Sequence, residues 1–141
     1  MPTNFRRNQS GMLALGIAFA VLGMSAQAAT TNWTGGTSAV WNLAANWDNG
    51  IPTAANDAVF PAGIPGTGAT ITIPAGALAN SITFNDAYTF TGGDLRITTG
   101  NVTVASGSTA TISSVLSGTG NTLNLLATGG GGTLVLGGSN T

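Results

Sequence analysis

The chain has 141 residues and only seven charged side chains, three basic and four acidic, with no His and no Cys. A formal net charge of −1 excludes the basic surface that binds nucleic acid phosphates. The missing His and Cys exclude thiol nucleophiles, His-dependent triads and disulfides. This composition predicts a protein that is not an enzyme, takes no cofactor or metal and has no nucleic acid partner.

Residues 1–28 have the features of a secretory signal peptide. An Arg pair precedes the uncharged apolar run 12–24, which is shorter than the roughly 20 residues that a membrane-spanning helix needs. Small residues then follow at the positions that a signal peptidase recognises before its cleavage site, and the last of them is Ala28. We expect a helical signal peptide, delivery to the secretory translocon and cleavage between Ala28 and Ala29. A buried helix, a membrane anchor and a twin-arginine leader are the alternatives.

The segment 29–61 shows little strand alternation and holds all three Trp residues, Trp33, Trp41 and Trp47. We expect it to form an N-terminal cap, because the end of a stack of strands exposes sheet edges and a hydrophobic cross-section. In this interpretation the indoles supply buried apolar area. Alternatively, exposed indoles beside the intervening Asn and Asp residues contact a ligand by stacking on sugar rings.

The rest of the mature chain predicts strands. Short β-branched runs, most of them alternating apolar with Thr or another polar residue, are separated by Gly, Asn, Asp and Pro turns. The runs are 58–60, 70–73, 81–84, 88–90, 95–98, 101–104, 110–112, 122–126 and 133–136. The fold class is therefore all-β.

Aromatic residues make up only 6% of the chain and large apolar residues are sparse, which favours the thin core of a β-solenoid. The strand starts fall into three series with steps of about 20 to 24 residues, near the period of solenoid rungs. These series are 71 and 95; 82, 102 and 122; and 88, 110 and 133. We expect solenoid rungs over 62–141, although a β-sandwich or barrel has the same strand spacing and stays an alternative.

The four acidic residues are scattered along the mature chain. Two of them stand in turns that Asx chemistry explains, whereas glycoside hydrolysis needs two carboxyl groups that face one bond. The four acidic residues are Asp48, Asp57, Asp86 and Asp94. The sequence therefore predicts no catalytic, cofactor-binding or metal-binding residue.

Two stretches carry a resemblance to a known family. Residues 41–47 (Trp-Asn-Leu-Ala-Ala-Asn-Trp), followed by 50–52 (Gly-Ile-Pro) and 56–60 (Asn-Asp-Ala-Val-Phe), resemble the start of large bacterial autotransporter-type surface proteins. Residues 132–141 (Gly-Thr-Leu-Val-Leu-Gly-Gly-Ser-Asn-Thr) are similar to the first half of the autotransporter-associated β-strand repeat. Neither motif is catalytic.

The resemblance implies a right-handed parallel β-helix passenger that a C-terminal β-barrel carries across the outer membrane. We expect the chain to be an N-terminal passenger fragment, with the β-barrel translocator encoded downstream. The implied function is a non-enzymatic scaffold for adhesion or display at the cell surface, on the outer membrane or secreted, with a host or cell-surface glycan or protein as ligand. The alternatives are a carbohydrate-binding or polysaccharide-degrading β-helical module, and a surface-layer or matrix protein that is complete at this length.

Overall fold

The computed structural model describes residues 27–64, 70–117 and 122–141. The predicted signal peptide therefore lies outside the described residues, apart from its last two positions. Within the described ranges the helical content is a single 3₁₀ turn, Ala44–Asn46, and no helix there is long and apolar enough to cross a membrane.

Twelve strands in the described ranges form three parallel sheets. The strands are β1 (Ala29–Asn32), β2 (Asn56–Phe60), β3 (Thr70–Ile73), β4 (Ala77–Ala79), β5 (Ser81–Phe84), β6 (Thr89–Gly92), β7 (Asp94–Ile97), β8 (Asn101–Ala105), β9 (Thr109–Ile112), β10 (Val115–Leu116), β11 (Asn124–Thr128) and β12 (Thr133–Leu136). Sheet 1 has the order β1-β2-β5-β8-β11, sheet 2 the order β3-β6-β9-β12 and sheet 3 the order β4-β7-β10.

From β2 onward, the chain visits sheets 1, 2 and 3 in turn and then returns to sheet 1, one strand further along. Each circuit is one rung, and the five strands of sheet 1 correspond to about four turns of a β-solenoid. All strand pairs between rungs are parallel. The all-β class and the solenoid are thus confirmed, and the sandwich and barrel alternatives are wrong.

Alternation along each strand decides which side chains enter the core. In sheet 2, Ile71 pairs with Phe90 and Phe90 with Ile112, and all three side chains are fully buried. The residues beside them, Thr70 and Thr89, point outward and also pair with each other. Apolar residues therefore stack on apolar residues from rung to rung, and threonines stack on the outer surface, where β-branched side chains suit a pleated sheet.

The predicted rung alignment is partly correct. Ile82 pairs with Val102 as predicted, a step of 20 residues, but the next partner of Val102 is Leu125 rather than residue 122. The proposed series of residues 71 and 95 is wrong, because Ile71 lies in sheet 2 and Leu95 in sheet 3.

Three of the strands were not predicted from the sequence. Strand β4 has three residues and β10 has two, which is too short for alternation to be visible. Because these strands define sheet 3 together with β7, missing them placed Leu95 in the wrong series. Strand β1 was also missed, since it begins at the predicted cleavage site and reads Ala-Thr-Thr-Asn.

Candidate functional site

The three Trp side chains are buried in the core at the end of the solenoid that includes β1. Their exposed fractions are 1% for Trp33, 1% for Trp41 and 5% for Trp47. Trp47 lies edge-on to both other indoles, with ring centroids 5.1 Å from Trp33 and 5.0 Å from Trp41. Because no other Trp is present in the chain, none offers an exposed face for stacking on a sugar ring.

Phe60 occupies the centre of this aromatic cluster. Its ring lies 5.0–6.0 Å from six other aromatic rings, a spacing at which aromatic pairs contribute beyond their buried area. The six are Trp33, Trp41, Trp47, Phe84, Tyr88 and Phe90. The cluster therefore joins segment 29–61 to the next rungs through side-chain packing.

A returning segment, residues 46–50, covers the outer edge of β1. Trp33 and Trp47 form an antiparallel bridge. On either side of it, the amide of Thr34 donates to the carbonyl of Asn46 (2.8 Å) and the amide of Asp48 donates to the carbonyl of Asn32 (3.0 Å). Backbone groups that a sheet edge would leave unpaired are thus satisfied by the chain itself.

Asn46 is fully buried and holds the loop that leads into this returning segment. Its side-chain oxygen accepts from the amides of Thr37 and Ser38, both at 3.1 Å. Its side-chain nitrogen donates to the Ser38 hydroxyl (3.1 Å) and to the carbonyl of Val40 (2.9 Å). With both donors and both acceptor sites in use, this amide acts as a structural tie. Asn46 belongs to the motif 41–47, but nothing in the sequence pattern indicates this role.

Two of the four acidic side chains lie near β1 and β2. Asp48 accepts from the amide and the side-chain nitrogen of Asn32, both at 2.7 Å. These hydrogen bonds to the charged form hold the pKa of Asp48 below its usual value. Asp57 accepts from Asn80 and from Ser81, both at 2.7 Å, and thereby links β2 to the next rung.

The other two acidic side chains also bridge rungs. Asp86 accepts from the amide of Gly63 (3.2 Å) and from that of Ala87 (2.8 Å), and these bonds lower its pKa. Asp94 accepts from the amide of Gly76 on one side (2.8 Å) and contacts the Ser117 hydroxyl on the other (3.4 Å). The structure therefore does not bring the carboxylates together.

Tyr88 is a buried titratable side chain near Asp86. Its hydroxyl donates to the carbonyl of Pro61 at 2.7 Å, a bond between neighbouring rungs. Burial, reinforced by the negative charge of Asp86, raises the pKa of Tyr88 to about 12. Its phenol is therefore neutral at physiological pH and acts as a donor.

At the other end of the described rungs, formed by β11, β12 and the residues after them, several apolar side chains are exposed. Leu125 and Leu136 stand at inward positions, in register with the fully buried Val102 and Ile112 of the previous rung. They are nevertheless 49% and 41% exposed. A groove of about 260 Å³ opens here between Leu136 and residues of the preceding rungs, including Ile97.

A second groove, of about 270 Å³, lies between Ile51 and Leu78 beside β4. Neither groove is lined by a titratable side chain. In the described part of the chain, no three His, Cys, Asp or Glu residues are grouped so as to hold a metal ion.

The predicted cleavage site lies at the boundary of the sheet. Ala29 is the first residue of β1 and pairs with Asn56, whereas Ala28 precedes the strand. Cleavage between the two residues would leave sheet 1 intact.

Comparison with protein-family models, with curated proteins and with solved structures finds no match for the chain.

Proposed function

We propose that the chain is a non-enzymatic scaffold that is exported to the bacterial cell surface, where it is held at the outer membrane or released. The observation that carries this proposal is the use of its acidic side chains. Asp57, Asp86 and Asp94 each accept hydrogen bonds from a neighbouring rung, and Asp48 fastens the returning segment to Asn32. Groups that could perform acid–base chemistry are thus occupied in holding rungs together.

Segment 29–61 is proposed as the N-terminal cap of this scaffold. Buried indoles fill the end of the core, and the returning segment 46–50 pairs with the edge of β1. Both features serve the two needs of a solenoid end, which are to cover its hydrophobic cross-section and to satisfy its sheet edge.

Display and adhesion form the finer part of the proposal. The outer surfaces of sheets 1 and 2 carry regular columns of hydroxyl groups, such as Thr83 beside Thr103 and Thr72 beside Thr91. A host or cell-surface glycan or protein is the proposed ligand of these surfaces. The secretory translocon and a β-barrel translocator encoded downstream are the proposed export partners, and the right-handed passenger β-helix is the proposed architectural type.

Export is tested by producing the 141-residue chain in a Gram-negative bacterium and sequencing the N-terminus of the exported species. We expect it to begin at Ala29. Ala28→Leu places a bulky residue at the position before the cut and should leave the leader attached. Gln27→Leu, at the neighbouring position that the peptidase does not read, is the matched control and should be processed normally. An uncleaved chain that stays inside the cell would contradict the proposal.

Non-enzymatic surface binding is tested with the exported chain on arrays of glycans and matrix proteins, together with polysaccharide cleavage assays. We expect binding to a surface ligand without cleavage of any polysaccharide. Bond cleavage that depends on Asp57 or Asp94 would instead identify a degrading module.

An intact-cell digestion with a broad protease completes the test, because a displayed chain is degraded while a periplasmic marker is protected.

A further inference from the structure

We propose that Asn49 is a site of spontaneous chemical modification, and that its conversion to aspartate or isoaspartate loosens the returning segment 46–50. Residues 49–50 are the one place in the chain where Asn is followed directly by Gly. Both residues are exposed, and they form the last part of the returning segment. The inference goes beyond the proposed display function, which requires no chemical change in the chain.

Gly50 presents an accessible backbone amide next to the side chain of Asn49. Within the described residues this amide donates no hydrogen bond. A Cβ atom built on Gly50 would have nothing within 4 Å, so the space around its backbone is open. Glycine also has no Cβ of its own to obstruct an approaching group, and its φ of +80° is a conformation that other residues rarely adopt. The nucleophile that the modification needs is therefore unpaired and unshielded.

The proposed reaction needs only water as a co-reactant. The backbone nitrogen of Gly50 attacks the side-chain carbonyl carbon of Asn49 and forms a new carbon–nitrogen bond. The bond from that carbon to the side-chain nitrogen breaks, the amide proton of Gly50 passes through solvent to the leaving group, and ammonia departs. Water then opens the succinimide ring. Opening at the former side-chain carbonyl gives aspartate, and opening at the backbone carbonyl gives isoaspartate, in which the main chain runs through the side-chain carbon.

Both products disturb contacts that attach the returning segment to β1. The side-chain nitrogen of Asn49 donates to the carbonyl of Thr30 at 3.3 Å, whereas a carboxylate accepts only and adds a negative charge next to Asp48. Isoaspartate also lengthens the main chain before Gly50, whose carbonyl accepts from the Thr31 hydroxyl at 2.7 Å. Thr31 is fully buried, so displacing that carbonyl leaves a buried hydroxyl without its partner, which is costly.

The experiment incubates the folded 141-residue chain in mildly alkaline buffer and follows each Asn by mass spectrometry of its peptides. Conversion replaces an amide nitrogen by oxygen and changes the mass accordingly. Asn42 is the internal control, because it is exposed in the same segment but is followed by Leu43. We expect Asn49 to convert at least about tenfold faster than Asn42, a difference of about 1.4 kcal/mol in the activation barrier. A protease that cuts before aspartate but not before isoaspartate separates the two products.

Equal rates at Asn49 and Asn42 overturn the proposed site. Conversion of Asn49 that occurs in the urea-unfolded chain but is absent from the folded chain overturns it as well, because the fold would then protect the site.

A matched pair of variants tests the structural consequence. Asn49→Asp imitates one product, and Asn42→Asp places the same charge at the control position. Hydrogen exchange of the amides of Thr34 and Asp48, which bridge β1 and the returning segment, should accelerate at least about threefold in Asn49→Asp, as expected for the loss of one neutral hydrogen bond. Asn42→Asp should leave both rates unchanged, and equal rates in the two variants overturn the proposed loosening.

The aged chain itself provides the test if Asn49→Asp fails to fold. Incubation of the unmodified chain should produce the same acceleration of exchange. Asn49→Gln keeps a side-chain amide but would have to close a larger ring, so it should age without conversion and without faster exchange. An aged chain that is fully converted at Asn49 yet exchanges like Asn49→Gln overturns the proposed loosening.

Discussion

The two ends of the solenoid differ in how their sheet edges and core are covered. At the end that includes β1, a returning segment pairs with the strand edge and buried indoles fill the core. At the end formed by β11 and β12, inward leucines stand exposed and the outer strand edges have no strand partner in the described residues. The comparison teaches that a strand edge in this stack can be paired in two ways, by a parallel strand of the next rung or by an antiparallel return of the chain.

Aromatic side chains are also concentrated toward the end of the solenoid that includes β1. Every aromatic ring in the described residues lies between Trp33 and Tyr88 or at Phe90, while the inward positions of β8 and β9 hold only Val, Ala and Ile. Large rings bury more area per residue than small aliphatic side chains. We therefore expect the first rungs to carry most of the stability, and the predictions below test that expectation from the largest effect to the smallest.

Replacing the central ring of the aromatic cluster should have the largest effect. Phe60→Ala removes a fully buried ring that contacts six others and should lower the free energy of unfolding by about 3–5 kcal/mol. Leu136→Ala in β12 removes a side chain that is 41% exposed and should cost about 1 kcal/mol. Urea unfolding of both variants measures the difference. Equal losses would contradict the expectation that the first rungs carry most of the stability.

Close backbone packing at the turn between β6 and β7 gives the second test. A Cβ atom added to Gly93 would lie 2.6 Å from the backbone of Pro74 and Ala75, and Gly93 is hydrogen-bonded to rungs on both sides. We expect Gly93→Ala to cost about 1–3 kcal/mol.

Gly138→Ala creates a similar clash with the backbone of Ser114, so a comparable loss is expected. Gly36→Ala is the control, because its nearest contacts would be 3.7 Å away. Its unfolding midpoint should match that of the unmodified chain.

Tyr88 gives the third test. Tyr88→Phe removes the hydrogen bond to Pro61 and should cost about 0.5–1.5 kcal/mol at neutral pH. Because folding raises the pKa of Tyr88 from 10.0 to about 12, its contribution is present below pH 10 and is lost as the pH rises to about 12. Urea midpoints across this range should fall for the unmodified chain and should fall less for Tyr88→Phe. Identical pH profiles would contradict the assignment.

Acid should loosen residues 46–50 slightly and β11 not at all. Folding lowers the pKa of Asp48, so its contribution is present above its unfolded value of 3.8 and is lost as the pH falls below that value. The effect is small because Asp48 is exposed. Hydrogen exchange of residues 46–50 should accelerate in acid relative to β11 once the intrinsic pH dependence is subtracted, and Asp48→Asn should remove the difference. A parallel change in both regions would show that the returning segment is held by other contacts.

Sequence reasoning predicted the class and the solenoid because most strands have four or five residues with clear alternation. Strands β4 and β10 could not be predicted, since three residues and two residues carry too little pattern. The burial expected of the indoles in segment 29–61 is observed, but the antiparallel return of residues 46–50 depends on contacts that only folding brings together. The Asp57 link to Asn80 and Ser81 was equally hidden, because its partners are 23 and 24 residues away.

The parallel register of successive rungs has a mechanical consequence. Hydrogen bonds between strands point along the long axis of the stack, at right angles to the strands themselves. A pull along that axis would load the bonds of one rung interface at a time and would peel rungs away in sequence. A pull along the strands of sheet 1 would instead shear several pairs together and meet greater resistance. A chain tethered at one end would therefore lengthen stepwise under flow, with the rungs around Phe60 being the last to open.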